Sequence, residues 1–235
     1  MSQAVVLLSG GLDSTTLLHY VKKDLGYSEI HAITYYYGQK HSREMDCARW
    51  QAKEANIYSH QQIDISFSRE LLANSSALLN TGIDIPDLAD LSDEQLVQPP
   101  TYVPNRNMIF ISLSAGYAEA RGIVDLFYGA QTQDSYGYWD CTSEFVKRLN
   151  AVLLLNPKNH VRLHAPFSEL SKKDELKIGL KLGVDYSRTW SCYRGEEKAC
   201  GTCPSCVERL RAFKQIGIKD PIPYKKSISA LNINS

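Results

Sequence analysis

A short apolar run that breaks into two glycines and then a helix constrains this chain more than any other feature. Ala4 to Leu8 reads as a buried strand, and Ser9-Gly10-Gly11-Leu12-Asp13-Ser14-Thr15-Thr16 follows at once. From Ser14 to about Lys23, Leu17, Leu18 and Val21 recur at helical spacing. A strand that feeds a helix through such a turn belongs to parallel sheets, whose ligands bind beyond the carboxyl ends of the strands. There a helix start offers unpaired N–H groups and a positive dipole end, and adjacent glycines let an anion approach the backbone. Ser9, Ser14 and Thr15 add hydroxyls, and a carboxylate at Asp13 makes sense as the holder of a Mg2+ that bridges phosphates. The loop lacks the Gly-Lys-Ser/Thr of a Walker A motif and the Gly-x-Gly-x-x-Gly of a dinucleotide fingerprint. The alternative is an ordinary strand-to-helix turn, where glycine, aspartate and serine are common.

The alternation continues along the chain. Strands are expected over Ile30–Tyr36, Gln61–Ile65, Val124–Gly129 and Val161–Ala165. Helices are expected from a Ser42 cap to about Ala55, and over Asn107–Ala120, Ser143–Leu155 and Lys172–Leu182, the last stopped by Gly183. Residues 66–104 break the rhythm with Pro86, Pro99, Pro100 and Pro104, and read as a long functional insertion holding a short helix or two. The expected architecture is α/β, a Rossmann-like parallel sheet of about five strands with helices on both faces. Residues 1–188 would form the nucleotide-binding and catalytic domain, and 189–235 a small C-terminal appendage.

That appendage holds four of the six cysteines, Cys192, Cys200, Cys203 and Cys206, spaced C-x7-C-x2-C-x2-C. Four thiolates can close a tetrahedral shell around Zn2+, with Gly201 and Pro204 shaping the knuckle and Ser205 capping a helix over Cys206–Lys214. A thiol–disulfide pair (Cys200/Cys203 or Cys203/Cys206) and an iron–sulfur cluster use the same residues. With cysteine at every position no place is left for a water nucleophile, so the expected role of the zinc is structural. Cys47 and Cys141 read as packing thiols. Twenty-six basic and 26 acidic side chains give zero net charge, which argues against a broad nucleic-acid-binding surface. The first apolar run is too short for a signal sequence, and no stretch approaches the roughly 18 apolar residues of a membrane helix. A soluble cytoplasmic protein is expected, with a small-molecule substrate and no membrane partner.

Ser9-Gly10-Gly11-x-Asp13-Ser14 resembles the loop of the PP-loop ATP pyrophosphatases (adenine nucleotide α-hydrolase-like fold). That resemblance implies that the loop cradles the β,γ-pyrophosphate while a substrate oxygen attacks the α-phosphorus. Thr101-Tyr102-Val103-Pro104-Asn105-Arg106-Asn107, Gly129 to Cys141, Ser171-Lys172-x-Asp174 and Thr189-Trp190-Ser191-Cys192-Tyr193 follow in order. Together with the loop and the cysteine knuckle they resemble the QueC family of queuosine biosynthesis, from about residue 4 to residue 215. The resemblance implies adenylation of 7-carboxy-7-deazaguanine on its carboxylate and displacement of AMP by ammonia to give an amide. A second ATP then activates the amide oxygen, and loss of AMP leaves the nitrile. It also implies a homodimer.

Residue roles are carried over as expectations. ATP would be bound by Leu8, Ser9, Gly10, Gly11, Leu12, Asp13, Ser14, Thr15, Thr16, Leu17 and Leu18, with Mg2+ at Asp13. Asp13, Arg106 and Lys172 would be catalytic, the two cations stabilising charge on the α-phosphate or pyrophosphate. Gly38, Gln39, Lys40 and His41 follow the second strand beside the loop and would contact the nucleotide. Asp134, Tyr136 and Asp140 would read the guanine-like ring. Tyr36, Trp139 and Thr142 depart from the family pattern, which has an acid, a proline and often an arginine there. The competing readings are a PP-loop enzyme acting on tRNA, of the thiolase type, an amide synthetase that stops before the nitrile, and a nucleotide sensor without turnover.

Overall fold

The computed structural model describes residues 2–40, 43–72, 75–79, 82–131 and 137–225. In chain order the elements are β1 (Gln3–Leu7), α1 (Leu12–Lys23), β2 (Glu29–Tyr36), α2 (Arg43–Glu54), β3 (Ser59–Asp64), α3 (Ser68–Leu71), α4 (Asp93–Val97), α5 (Arg106–Glu119), β4 (Asp125–Phe127), α6 (Ser143–Leu153), β5 (Arg162–His164), α7 (Lys172–Lys181) and α8 (Pro204–Gln215). The strands form one parallel sheet in the order β3-β2-β1-β4-β5. The order reverses between β1 and β4, and that is where an open α/β sheet leaves a crevice at its carboxyl edge.

A parallel sheet covered on both faces must bury both sets of alternating side chains, and β1 does so. Val5 faces a core with Ile33, Leu126 and Leu163, covered by Ile111 and Ala115 of α5 and Phe145 of α6. Ala4, Val6 and Leu8 face the opposite core with Leu17, Leu18 and Val21 of α1 and Ala48 and Ala52 of α2. Helix α7 closes on α1 through Gly179: a Cβ there would lie 1.7 Å from the hydroxyl of Tyr186, which is 2.8 Å from Thr16 Oγ1. Gly183 ends α7 at φ +73°, as expected of a glycine stop.

Several boundaries shift by one or two residues from the sequence expectation, as at β3, β5 and α6, and two shifts have an evident physical cause. β4 is shorter than Val124–Gly129, because beyond Tyr128, whose N–H still reaches His164 O (3.0 Å), the chain turns beneath the start of α1. The last helix begins at Pro204 with Cys203 as its N-cap, not at Cys206 after a Ser205 cap. A proline in the first turn gives up an N–H that has no helical acceptor anyway. The expected Ser42 cap lies outside the described residues.

The insertion contributes α3 and α4, the latter started by a Ser92–Gln95 capping box. Leu78, Leu79, Ile85 and Val103 from the insertion share one core with Trp190 and the four cysteines. Arg194 Nη2 and Thr202 Oγ1 both lie 2.6 Å from Asp87 Oδ1. Helix α8 seals the other side through Arg209, fully buried. Its Nε and Nη2 donate to Asp220 (2.7 and 3.0 Å), its Nη1 to Thr189 Oγ1 (2.7 Å) and its Nη2 also to Tyr186 O (3.0 Å). Among the described residues no helix is long and apolar enough to cross a membrane.

Candidate active site

The turn between β1 and α1 closes on itself. Gly10 takes φ +89°, a left-handed value that glycine holds without a steric penalty. A Cβ there would stand 2.1 Å from the Glu44 carbonyl oxygen and 2.6 Å from the Ala48 nitrogen, so the loop lies directly on α2. Ser14 Oγ occupies the middle of the turn: it accepts the N–H groups of Ser9 (3.1 Å) and Gly10 (3.2 Å) and lies 2.9 Å from Ser9 Oγ. The Trp190 N–H donates to Gly10 O at 3.0 Å, clamping the loop from the C-terminal side. Gly129 slides under the helix start, where its Cβ would lie 3.3 Å from Ser14 N. The first-turn N–H groups of α1 have no acceptor within the helix and face the crevice, which makes the place attractive to an anion.

Above this loop opens a cleft of about 230 Å3. Leu8, Ser9, Gly11, Leu12, Asp13 and Ser14 form its floor. Lys172, the first residue of α7, reaches in from the side. Its Nζ lies 3.5 Å from Asp13 Oδ2 and 3.5 Å from Glu208 Oε2, and its side chain is only 7% exposed. The other oxygen of Asp13, Oδ1, is buried without a hydrogen-bond partner. A buried carboxylate oxygen left bare at the mouth of a phosphate-type loop suits a hard cation such as Mg2+.

Arg106 enters from the opposite wall. Asn105, which precedes it as the N-cap of α5, holds φ +54°, a left-handed conformation that asparagine tolerates better than most residues. Burial alone would lower the Arg106 pKa, but Tyr37, Tyr138, Tyr193 and Asp140 around it hold it above its ordinary value. Asp140 is buried behind Arg106 and accepts the Asn107 N–H at 3.1 Å. Burial raises its carboxyl pKa, against the pull of Arg106 and the Asn107 bond. Glu44, in the first turn of α2, also lines the cleft. Burial pushes its pKa up to about 7, opposed by Arg106 and reinforced by Cys192.

The four cysteines converge. Cys192, Cys200, Cys203 and Cys206 are buried free thiols whose sulfur atoms all lie within 4.8 Å of one another. The Cys200–Cys206 separation is 3.9 Å. A tetrahedron of Zn–S bonds of about 2.3 Å places its sulfurs about 3.8 Å apart. The Cys203 and Thr202 N–H groups point at Cys200 Sγ (3.3 and 3.5 Å), and the Cys200 N–H points at Cys192 Sγ (3.4 Å). Such N–H···S contacts orient thiolates toward a shared ion. The group could hold a metal ion and is compatible with zinc.

The structure brings most of the expected site residues together, but not all. Gly10 and Thr15 are buried and do not line the cleft, Thr16 Oγ1 bonds Leu12 O and Tyr186, and Leu17 and Leu18 belong to the core under the sheet. Gln39 and Lys40 border the cleft, with Lys40 Nζ donating to Ile83 O at 2.5 Å. His41, Asp134 and Tyr136 lie outside the described residues. Sequence reasoning missed Glu44, Glu208, Tyr37, Tyr138 and Trp190 as parts of the site. A charged residue in the first turn of a polar helix carries no sign that it faces a cleft.

Comparison with known proteins follows the same lines. A family model described as "Queuosine biosynthesis protein QueC" matches residues 3–217. The chain is 49% identical to the 7-cyano-7-deazaguanine synthase of Caldicellulosiruptor saccharolyticus, over 96% of this chain and 97% of that protein. It is 45% identical to the protein of the same name from Clostridium kluyveri, over 96% and 99%. With the one from Archaeoglobus fulgidus it shares 46%, over 94% and 89%. Among solved structures, an NMN synthetase from Francisella tularensis shares the fold, with a TM-score of 0.51 and 14% identity over 98% of this chain and 81% of that one.

Proposed function

The chain belongs to the QueC family of queuosine biosynthesis and is an enzyme, and on that premise we propose that it converts 7-carboxy-7-deazaguanine and ammonia to 7-cyano-7-deazaguanine. Two ATP are consumed, each yielding AMP and pyrophosphate. The observation that carries the reading is the loop over Ser9–Ser14 at the reversal of the sheet order, with the cations of Lys172 and Arg106 on opposite sides of one cleft. We assign the pyrophosphate to the start of α1. The carboxylate, and later the amide oxygen, attacks the α-phosphorus. Lys172 and Arg106 stabilise the charge that grows there, which is worth more in a dry cleft than in water. Asp13 would hold Mg2+ through its bare Oδ1, and the ion would neutralise phosphate charge. For the ring we assign the stretch from Asp134 to Asp140.

The chemistry calls for an activated leaving group and fixed geometry, not for a protein nucleophile. Four buried thiols converging on one point support a structural zinc and speak against the sulfur-relay cysteine pair of a tRNA thiolase. A reducing cytoplasm keeps such thiols available for metal, and we place the protein there. The homodimer is likewise part of the proposal, checked by light scattering on the purified protein. The test of function is to incubate zinc-replete protein with MgATP, ammonium and 7-carboxy-7-deazaguanine, and to follow pyrophosphate and substrate mass together. Pyrophosphate with conversion to the nitrile supports the reading. Accumulation of the amide limits the enzyme to the first half. Folded protein that binds ATP but releases no pyrophosphate with this acid refutes it.

A further inference from the structure

The proposed reaction makes a demand that none of the residues assigned so far meets. Nitrogen enters from ammonium, which at neutral pH is mostly protonated and has no lone pair to attack with. It ends in a nitrile, which carries no hydrogen. Every N–H proton must therefore leave, and a base has to stand in the cleft to receive them.

Among the described residues three carboxylates line the cleft: Asp13, Glu44 and Glu208. Asp13 and Glu208 share Lys172, each at 3.5 Å. Among the described residues the Glu44 side chain makes no ion pair and accepts no hydrogen bond. Its backbone is nevertheless fixed, because its carbonyl oxygen is what a Cβ on Gly10 would strike at 2.1 Å. The side chain thus hangs from a rigid part of the wall against which the Ser9–Ser14 loop packs, lines the cleft, and has no partner among the described residues.

Among the described residues, the charged and titratable groups around Glu44 leave it the one cleft carboxylate without an ion-pair partner. On its own helix, Arg43 is spent elsewhere: its guanidinium stacks 3.9 Å over Trp190 and its Nη1 donates to Glu197 O at 2.6 Å. Asp46 pairs with Arg49 at 3.0 Å on the outside. From α5 comes Arg106, farther than ion-pair distance. Tyr37 approaches from the end of β2, and Cys192 and Tyr193 from the knuckle.

We infer that Glu44 is the general base of the cleft, collecting ammonium and removing the nitrogen-bound protons in both halves of the reaction. This rests on the function proposed above. In the first half, a proton passes from ammonium to the Glu44 carboxylate, and the freed lone pair of ammonia attacks the acyl carbon of the adenylate. The C–N bond forms, the C–O bond to AMP breaks, and the nitrogen sheds a second proton to leave the neutral amide. In the second half, adenylation of the amide oxygen and departure of AMP remove the last two N–H protons and leave the C≡N triple bond. The carboxyl returns each proton to solvent between steps. A pKa raised toward neutrality suits a group that must both take and release protons at physiological pH.

The inference is tested with Glu44→Gln, which keeps size and polarity, in three assays. ATP–pyrophosphate exchange dependent on 7-carboxy-7-deazaguanine needs no ammonium, and in E44Q it persists within about threefold of wild type. Formation of amide and nitrile from ammonium falls about 100-fold or more. Hydroxylamine, already unprotonated at neutral pH, still traps the acyl-adenylate as hydroxamate. Wild-type amide formation rises with pH through the neutral range, and that limb is flat in E44Q. Equal loss of exchange and amide formation would give Glu44 a structural or nucleotide-binding role and overturn the inference. So would ammonium-dependent turnover within about fivefold of wild type. Failure of the wild-type protein to catalyse exchange with this acid overturns the proposed function itself, an outcome read without any variant.

Discussion

Replacing Gly10 by alanine should unfold the protein far more readily than the same change one residue later. At Gly10 the added Cβ meets two backbone atoms of α2, the Glu44 oxygen at 2.1 Å and the Ala48 nitrogen at 2.6 Å. Neither can swing away as a side chain would, so α2 must shift from the sheet. Overpacking of this kind costs about 1–3 kcal/mol. Holding alanine at φ +89° adds about 1–2 kcal/mol. The sum is about 2–5 kcal/mol, which for a chain of this size lowers the melting temperature by roughly 5–15 °C. At Gly11, φ is −75° and the nearest atoms are Ser9 Oγ at 3.3 Å and Trp190 O at 3.6 Å. G11A should therefore cost no more than about 1 kcal/mol, mainly through the weaker N-cap. Because Gly11 lines the cleft, that variant should instead weaken ATP binding. The assay is thermal unfolding of both variants beside titration with a fluorescent ATP analogue. If G10A melts with wild type, or G11A proves the less stable, the packing of the loop against α2 is wrong.

Four further outcomes follow from other parts of the molecule. Lys172→Met should lower pyrophosphate release about 100- to 1,000-fold, measured with saturating ATP on protein whose circular dichroism matches wild type. If the four cysteines hold zinc as proposed, Cys203→Ser should lose it, read as metal per chain by mass spectrometry, together with several degrees of melting temperature. Arg209→Met should cost about 3–5 kcal/mol in urea unfolding, because Asp220 would be left charged and buried without its partner. The pKa of Glu44, about 7 when folded, lies above the ordinary 4.5 of a free glutamate. The folded protein therefore keeps a proton that the unfolded chain gives up, and this group costs stability progressively as pH rises from about 4.5 to about 7. E44Q should thus melt above wild type at pH 8, with the gap shrinking at pH 5.5. An equal gap at both values refutes the burial of this carboxyl.

What the sequence disclosed was local. The strand Ala4–Leu8, the glycine turn and the helix after it can be read from a dozen consecutive residues, as can the cysteine spacing that brings four sulfurs within 4.8 Å. The span of α7 was visible for the same reason, with its glycine stop at Gly183. What stayed hidden is made by residues far apart in sequence. Lys172 meets Asp13 across 159 positions, and the Trp190 N–H reaches the Gly10 carbonyl. No spacing rule encodes such pairs, since they follow from how α7 and the C-terminal segment pack on α1. Leu17 and Leu18 were placed beside ATP because they follow the loop, yet the helical turn carries them to the sheet side, into the core. Asp140, read as a ring contact, is buried beside Arg106 at the foot of α5, a position set by the Asn107 N–H rather than by its own turn.

The cysteine knuckle shares its core with the insertion, and its leading segment holds the carbonyl of Gly10 through Trp190. On our assignment of zinc, the Ser9–Ser14 loop loses the clamp at Gly10 when the ion is missing. A chain that has not captured its metal should leave one wall of the cleft loose and expose Ile85, Val103 and Trp190, which share the knuckle's core, to proteases and chaperones. Scarcity of zinc in the cell would then reduce how many working molecules there are, not how fast each one works. Partial metal depletion of the purified protein would show this as activity falling in step with the folded fraction, at an unchanged KM for ATP.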